Sequence, residues 1–290
     1  MEQAGLVNVE SFARAFDRAV VERPQDDGLF GPGSVVWRVH RDRSFLLAGV
    51  RSLMMQALHP LPMAGVAQHS TWQTDPFGRL AATGGYVLAV TYGDTKSAHQ
   101  AAERVRAIHT HVTGTDPVTR LSYRASDPSL LLWIHAALVD SIVQVVRRYG
   151  TALKTDEADR YVAQMVPFAE IVGVPREMVP ASMAELGRYM ESVELLQATP
   201  AAVEAIGIVL DPPQLDAATL DLWHDLGQVA IATLPQWARD LYGFPEPPAE
   251  LTERESVRQL IGAIDFAFEA LPGVLEARER IELRMRAAHA

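Results

Sequence analysis

Apolar residues recur every three or four positions through most of this chain, and this spacing constrains the fold more than any other feature. It is clearest after Asp127 and Pro128, which form a helix start signal, and the apolar pattern continues to Tyr149, where Gly150 follows as a stop. The pattern predicts further helices over residues 43–58, 94–113, 155–172, 182–197, 216–231, 252–270 and 274–288. We therefore predict an all-α fold.

Local signals refine these helix boundaries. Pro60 and Pro62 should end the helix 43–58. Ser182 with Glu185, and Thr252 with Glu255, have the spacing of capping boxes. Residues 86–92 are ambiguous, because their β-branched and aromatic side chains suit either a strand or a buried helix.

The chain is predicted to form one compact domain. Its 290 residues are enough to bury a sizeable core. The stretches rich in proline and glycine are too short to be flexible linkers. We assign residues 1–29 to an N-terminal arm and residues 30–290 to the helical domain, and the sequence leaves a homo-oligomer open.

Composition excludes several classes of function. The formal net charge of -10 disfavours binding to nucleic acid or to an anionic membrane. The absence of cysteine excludes disulfides, Fe–S clusters and thiolate zinc sites. Motifs of nucleotide-binding enzymes, serine hydrolases and zinc proteases are also missing. With no signal peptide at the N-terminus and no apolar stretch near ~20 residues, we expect a cytoplasmic protein that does not contact a membrane.

Two histidines lie on apolar helix faces and should point into the core. His109 follows Val105 by one turn, and His135 is flanked by Leu131 and Leu138. A buried imidazole needs a partner, which is most often a hydrogen bond in the core. A neutral imidazole on a rigid helix is also well suited to be an axial ligand of haem iron. The pattern alone does not choose between His109 and His135.

A second polar group lies between predicted helices. It comprises His59 before Pro60, His69, and the pair Arg79 and Thr83, which would share one helix face. An arginine with a hydroxyl can bind an anionic group, such as a propionate, or polarise a bound oxygen species. Taken alone, such a pair more often forms part of a helix-terminal salt bridge.

Three stretches of the sequence resemble a known family. They are HPLPMAGVAQHSTWQTDPFGRLAATGGYVLAVTYGD, AERVRAIHTHVTG and DPSLLLWIHAALVDS. Together they resemble the family of the bacterial latex-clearing protein, a rubber oxygenase, and the fungal mycophenolic-acid pathway B-type oxygenases. The resemblance runs from about residue 30 to about residue 245. It implies a compact all-helical fold of latex-clearing-protein type around a b-type haem.

The resemblance also implies roles for individual residues. His109, in the VRxxH motif, resembles the proximal iron ligand, which separates it from His135. Arg79 and Thr83 match an RxxxT pair beside the haem, and Arg106 of the VRxxH motif would support a propionate or the helix itself.

The chain departs from the rubber oxygenases at two places, which argues against cleavage of polyisoprene. Their lysine before the threonine is Ala82 here, and the stretch from Met63 to His69 has no glutamate to act as a base. His69, or else His59, would replace that group as the acid–base residue. The leading hypothesis is a haem b oxidoreductase that uses O₂ or hydrogen peroxide on a small organic molecule of secondary metabolism. The alternative is a non-catalytic protein that binds or senses haem or a hydrophobic ligand.

Overall fold

The computed structural model describes residues 24–150, 153, 155–212, 215, 217–269 and 274–288. Most of the predicted N-terminal arm therefore lies outside the described residues. The helices in chain order are α1 Val35–His40, α2 Phe45–Ala57, α3 Pro60–His69, α4 Pro76–Tyr92, α5 Thr95–His109, α6 Pro128–Tyr149, α7 Thr155–Gln164, α8 Val166–Glu170, α9 Met183–Ser192, α10 Pro200–Leu210, α11 Ala217–Thr233, α12 Gln236–Tyr242, α13 Arg254–Glu269 and α14 Val274–Ala287. Short 3-10 turns lie at Arg176–Met178 and Ala249–Thr252.

The fold is all-α, as predicted, and the sequence signals explain where several helices begin and end. Asp127 accepts a hydrogen bond from the Ser129 amide, and Gly150 ends α6. Ser182 caps α9 through the Glu185 amide. The predicted capping box at Thr252 is wrong, because its hydroxyl donates to the Ala249 carbonyl within a 3-10 turn.

Other boundaries differ from the prediction for local reasons. Pro60 follows the end of α2 but also begins α3, a helix that the sequence analysis missed. The ambiguous residues 86–92 belong to α4. The predicted helix 155–172 breaks between α7 and α8, where Pro167 lies in the first turn of α8.

The end of α5 also differs from the prediction. α5 ends at His109 because the chain then enters a two-stranded antiparallel hairpin, Thr113–Thr115 with Ser122–Arg124. Ile108, the residue before this end, is 62% exposed.

The core is built around α6, which packs along α2, and α11 packs against α2. Trp133 and Ile142 of α6 and Met54 of α2 are completely buried. α6 has 22 residues and is long and apolar enough to cross a membrane by length and composition alone, which contradicts the expectation that no apolar stretch approaches this length. Because 72% of its most apolar window is buried inside the protein, its place at the centre of the core accounts for this composition.

A tight turn joins α4 to α5 and makes them an antiparallel pair. Gly28, with φ +76°, lies so close to this turn that a Cβ atom would be 2.1 Å from the Gly93 carbonyl oxygen. Asp26 accepts a hydrogen bond from the Thr95 amide at 2.7 Å. The segment before α1 therefore holds the turn, and the opposite ends of the pair, near Arg79 and His109, lie together.

Candidate functional site

One face of α4 presents a row of polar side chains. Asp75 caps the helix through the Gly78 amide, and Arg79, Thr83 and Tyr86 follow at four- and three-residue spacing. Arg79 donates to the Thr83 hydroxyl at 2.6 Å, and that hydroxyl donates to the Arg79 carbonyl at 3.1 Å. The pair is thus a rigid unit, and among the described residues Arg79 has no carboxylate partner.

Arg79 is exposed to solvent but is also partly enclosed by neighbouring protein atoms. Its side chain is open to solvent, yet the protein around it removes enough hydration to lower its pKa. A cation in this setting, with no acidic partner among the described residues, has the charge and the hydrogen-bond donors that an anion requires.

His109 is the last residue of α5 and lies near Arg79. Its Nδ1 atom is buried without a hydrogen-bond partner. Burial lowers the pKa of His109, and the positive charge of Arg79 lowers it further. The imidazole is therefore neutral near pH 7, which is the form that binds a metal.

Arg106 lies one turn before His109 on the same helix. Its guanidinium donates to the Ile171 carbonyl, just after α8. Its charge lowers the pKa of Tyr86, although burial outweighs this effect and raises that pKa overall. Arg106 thus links α5 to the segment after α8 and lies close to the Tyr86 hydroxyl.

His135 of α6 lies near Tyr86, because both rings pack beside Phe168. The Phe168 ring is 5.5 Å from the Tyr86 ring and 6.1 Å from the His135 ring, between ring centres. His135 is 6% exposed, and burial lowers its pKa to about 4. The Tyr86 hydroxyl and the His135 Nδ1 atom are both buried without a partner. We call Tyr86, Phe168 and His135 the aromatic wall.

The two other predicted histidines have local roles. His59 caps α3, because its Nδ1 atom accepts from the Leu61 amide at 3.3 Å, and burial lowers its pKa to about 4. His69 is exposed at the end of α3, with Nε2 3.1 Å from the Thr113 carbonyl oxygen. Neither makes a hydrogen bond to Arg79, Thr83 or His109 in the described part of the chain.

The described side chains around His109 do not form a metal site by themselves. Within the described ranges, no three His, Asp or Glu side chains lie close enough to hold a metal ion together. A metal at His109 would need its remaining ligands from another molecule, such as the four nitrogens of a porphyrin.

Two surface clefts lie away from these residues. One, of about 260 Å³, is lined by residues that include Arg43, Tyr149 and Arg258. The other, of about 400 Å³, lies between Glu177 and Tyr189. Neither includes His109, Arg79 or the aromatic wall.

The comparison with protein families is decisive for the kind of protein. The model described as "ER-bound oxygenase mpaB/B'/Rubber oxygenase, catalytic domain" matches residues 37–266, well over half of the chain. The chain belongs to this family. A search of curated proteins and a search of solved structures each found no match.

The part of the chain that matches this oxygenase family includes every candidate residue. Arg79, Thr83, Arg106 and His109 all fall inside the matched range, on the paired helices α4 and α5. Ala82, which stands where a lysine is expected in the rubber oxygenases, is exposed.

The sequence analysis missed two members of the aromatic wall. Tyr86 continues the spacing of Arg79 and Thr83, so the helical interpretation of residues 86–92 would have placed it on their face. Phe168 lies on α8, far along the chain, and no local pattern links it to His135.

Proposed function

We propose that this chain is a haem b-dependent oxygenase that acts on a small organic molecule with O₂ or hydrogen peroxide. The observation that carries the proposal is His109, a neutral imidazole with a buried nitrogen unpaired among the described residues, near an arginine that has no acidic partner among them. Haem b is an apolar disc with two carboxylates that needs an axial ligand, and this combination suits it.

Each residue has a distinct task in this proposal. His109 would bind the iron through its imidazole from the last turn of α5. Arg79 and Arg106 hold the carboxylates, because both are cations without an acidic partner among the described residues. Thr83 keeps the Arg79 guanidinium in place through the 2.6 Å hydrogen bond. When bound, haem b supplies the activation of O₂ or peroxide.

His69 is our first choice for the residue that moves protons, and His59 is the second. His59 already uses Nδ1 to cap α3, whereas His69 is exposed and contacts only a carbonyl oxygen and the Tyr123 ring among the described residues. His69→Ala should keep haem and lose roughly 10²–10⁴-fold in turnover. A variant with full haem and full activity would rule His69 out, and His59→Asn, which retains a cap, would then be tested in the same assay.

The alternative function, non-catalytic binding or sensing, is favoured by one observation. In the described part of the chain, neither His59 nor His69 is hydrogen-bonded to the residues around His109. Neither of these two candidate acid–base groups therefore contacts the proposed haem site through a hydrogen bond. A carrier would bind haem and show no turnover with either oxidant on any substrate offered.

The visible spectrum of the purified chain tests both functions. We expect a Soret band as purified, or its appearance on titration with haemin to one equivalent. A chain that is colourless and takes up no haemin would overturn the proposed function and the alternative haem carrier together. Consumption of peroxide or O₂ in the presence of an organic substrate then separates the catalyst from the carrier.

A further inference from the structure

The aromatic wall leaves two buried polar groups without partners in one place. The Tyr86 hydroxyl on α4 and the His135 Nδ1 atom on α6 belong to two rings that both lie beside the Phe168 ring. An unpaired buried polar group costs roughly 1–3 kcal/mol. Two of them beside one ring are therefore expected to have partners supplied from outside the chain.

Both groups are neutral, which restricts the chemistry of that partner. Burial lowers the pKa of His135 to about 4, and no charged group contributes to this shift. Burial also raises the pKa of Tyr86 above its ordinary value of 10.0. A phenol and a neutral imidazole can each donate and accept a hydrogen bond, so they suit a hydroxyl or a carbonyl rather than a charged group.

The surroundings of the Tyr86 ring are apolar. Ala98, Ala102 and Ile171 pack around the Tyr86 ring, and all three are buried. The nearby cation, Arg106, is exposed and donates to the Ile171 carbonyl. A molecule that lies against this wall therefore needs an apolar body with a single polar point.

We propose that Tyr86 and His135 bind the polar end of the substrate, which is a neutral molecule with one hydroxyl or carbonyl group on an apolar body. This inference rests on the proposed function, since it names the substrate class of the same site. It separates the task of binding substrate, at the aromatic wall, from that of holding a cofactor, at His109 and the two arginines.

The test compares three probes with the same methylphenyl body: p-cresol, toluene and 4-methylbenzoate. Calorimetric titration of the purified full chain gives their affinities, and the haem content of each sample is read from its absorbance. We expect p-cresol to bind up to about tenfold more tightly than toluene, and 4-methylbenzoate to bind more weakly than p-cresol. Equal affinity for p-cresol and toluene, or tightest binding of 4-methylbenzoate, would overturn the inference.

Single-atom variants locate the effect. Tyr86→Phe keeps the ring against Phe168 and removes only the hydroxyl, so the preference for p-cresol over toluene should shrink several-fold. Tyr189→Phe is the matched control, because it makes the same change in the cleft between Glu177 and Tyr189, and it should keep the preference. If Tyr189→Phe loses the preference and Tyr86→Phe keeps it, the cleft is the binding site and the inference is wrong.

The same samples separate this inference from the proposed function. A chain that takes up no haem and still prefers p-cresol through Tyr86 would disprove the proposed function and leave the wall as a binding site. A chain that binds haem and shows no preference for p-cresol over toluene would disprove substrate binding at the aromatic wall and leave the proposed function intact.

Discussion

Two buried polar regions of this protein differ in how their hydrogen bonds are satisfied. At the first, Arg51 of α2 bonds to the Asp140 carboxylate at 2.8 Å, the Ser141 hydroxyl at 2.6 Å and the Thr233 carbonyl at 3.1 Å. We call this set of four residues the Arg51 junction. At the second, around His109 and the aromatic wall, buried atoms of Tyr86, His109 and His135 have no partner.

The difference distinguishes a structural role from a binding role. Both regions lie in an interior where an unpaired polar atom is costly. The Arg51 junction supplies all its partners from the chain and ties α2, α6 and α11 together. In the proposed function a ligand supplies the missing partners around His109, so replacing His109 or removing the Tyr86 hydroxyl should change binding more than stability. Substitutions at the junction should do the reverse.

The largest expected effect is the loss of haem from His109→Ala. The substitution removes the proposed iron ligand, so no Soret band should persist after gel filtration. His135→Ala should keep haem and lower the free energy of unfolding by roughly 1–3 kcal/mol, because it leaves an underfilled core site. If the His135 variant loses haem and the His109 variant keeps it, the two assignments are reversed.

Next in size is Arg51→Ala, which breaks the Arg51 junction. It leaves the Asp140 carboxylate, 15% exposed, without its cation, and should lower the free energy of unfolding by roughly 3–5 kcal/mol. Urea unfolding measures the change, and the exposed Arg104→Ala is the control, with an expected change within about 0.5 kcal/mol. The haem affinity of the folded variant should be unchanged. An Arg51→Ala variant as stable as the wild type would contradict the structural role of the Arg51 junction.

Stability should also fall with acidification. Burial lowers the pKa of His40 to about 3 and those of His59 and His135 to about 4, from 6.5 in the unfolded chain. Between pH 6.5 and 4 the unfolded chain binds more protons than the folded chain, so the free energy of unfolding falls as the pH falls through this window. Each histidine should contribute roughly 2 kcal/mol of loss between pH 7.5 and 5.

Urea unfolding at both pH values tests this dependence. His59→Asn removes one of the buried histidines and puts another residue that can cap α3 in its place. The decrease in unfolding free energy between pH 7.5 and 5 should therefore become smaller by the contribution of one histidine. The exposed His99→Gln should leave the loss unchanged. Equal stability at pH 7.5 and 5 in the wild type would contradict the neutral, buried state of these histidines.

The smallest expected effect compares two tyrosines. The Tyr242 hydroxyl donates to the Met54 carbonyl at 2.7 Å, so Tyr242→Phe should cost about 1 kcal/mol of unfolding free energy. Tyr86→Phe removes a hydroxyl that has no partner and should leave the ligand-free chain as stable or slightly more stable. Parallel thermal unfolding measures both, and a larger loss at Tyr86 than at Tyr242 would show that its hydroxyl has a partner within the chain.

The amino-acid sequence by itself determined those features that depend on neighbouring residues. Asp127 with Pro128 starts α6 and Gly150 ends it, because a cap and a stop act within one turn. The spacing of Arg79 and Thr83 placed them on one helix face for the same reason. The family resemblance was also readable from local motifs, and the match over residues 37–266 confirms it.

Only the tertiary structure decided which of these groups lie together and which are left unpaired. His109 and His135 have the same apolar pattern in the sequence, yet the structure places Arg79 beside one and Phe168 beside the other. Phe168 joins Tyr86 and His135 from a helix that lies far from both in sequence. Hydrogen bonding and desolvation depend on distances across the core, and helix periodicity carries no information about these distances.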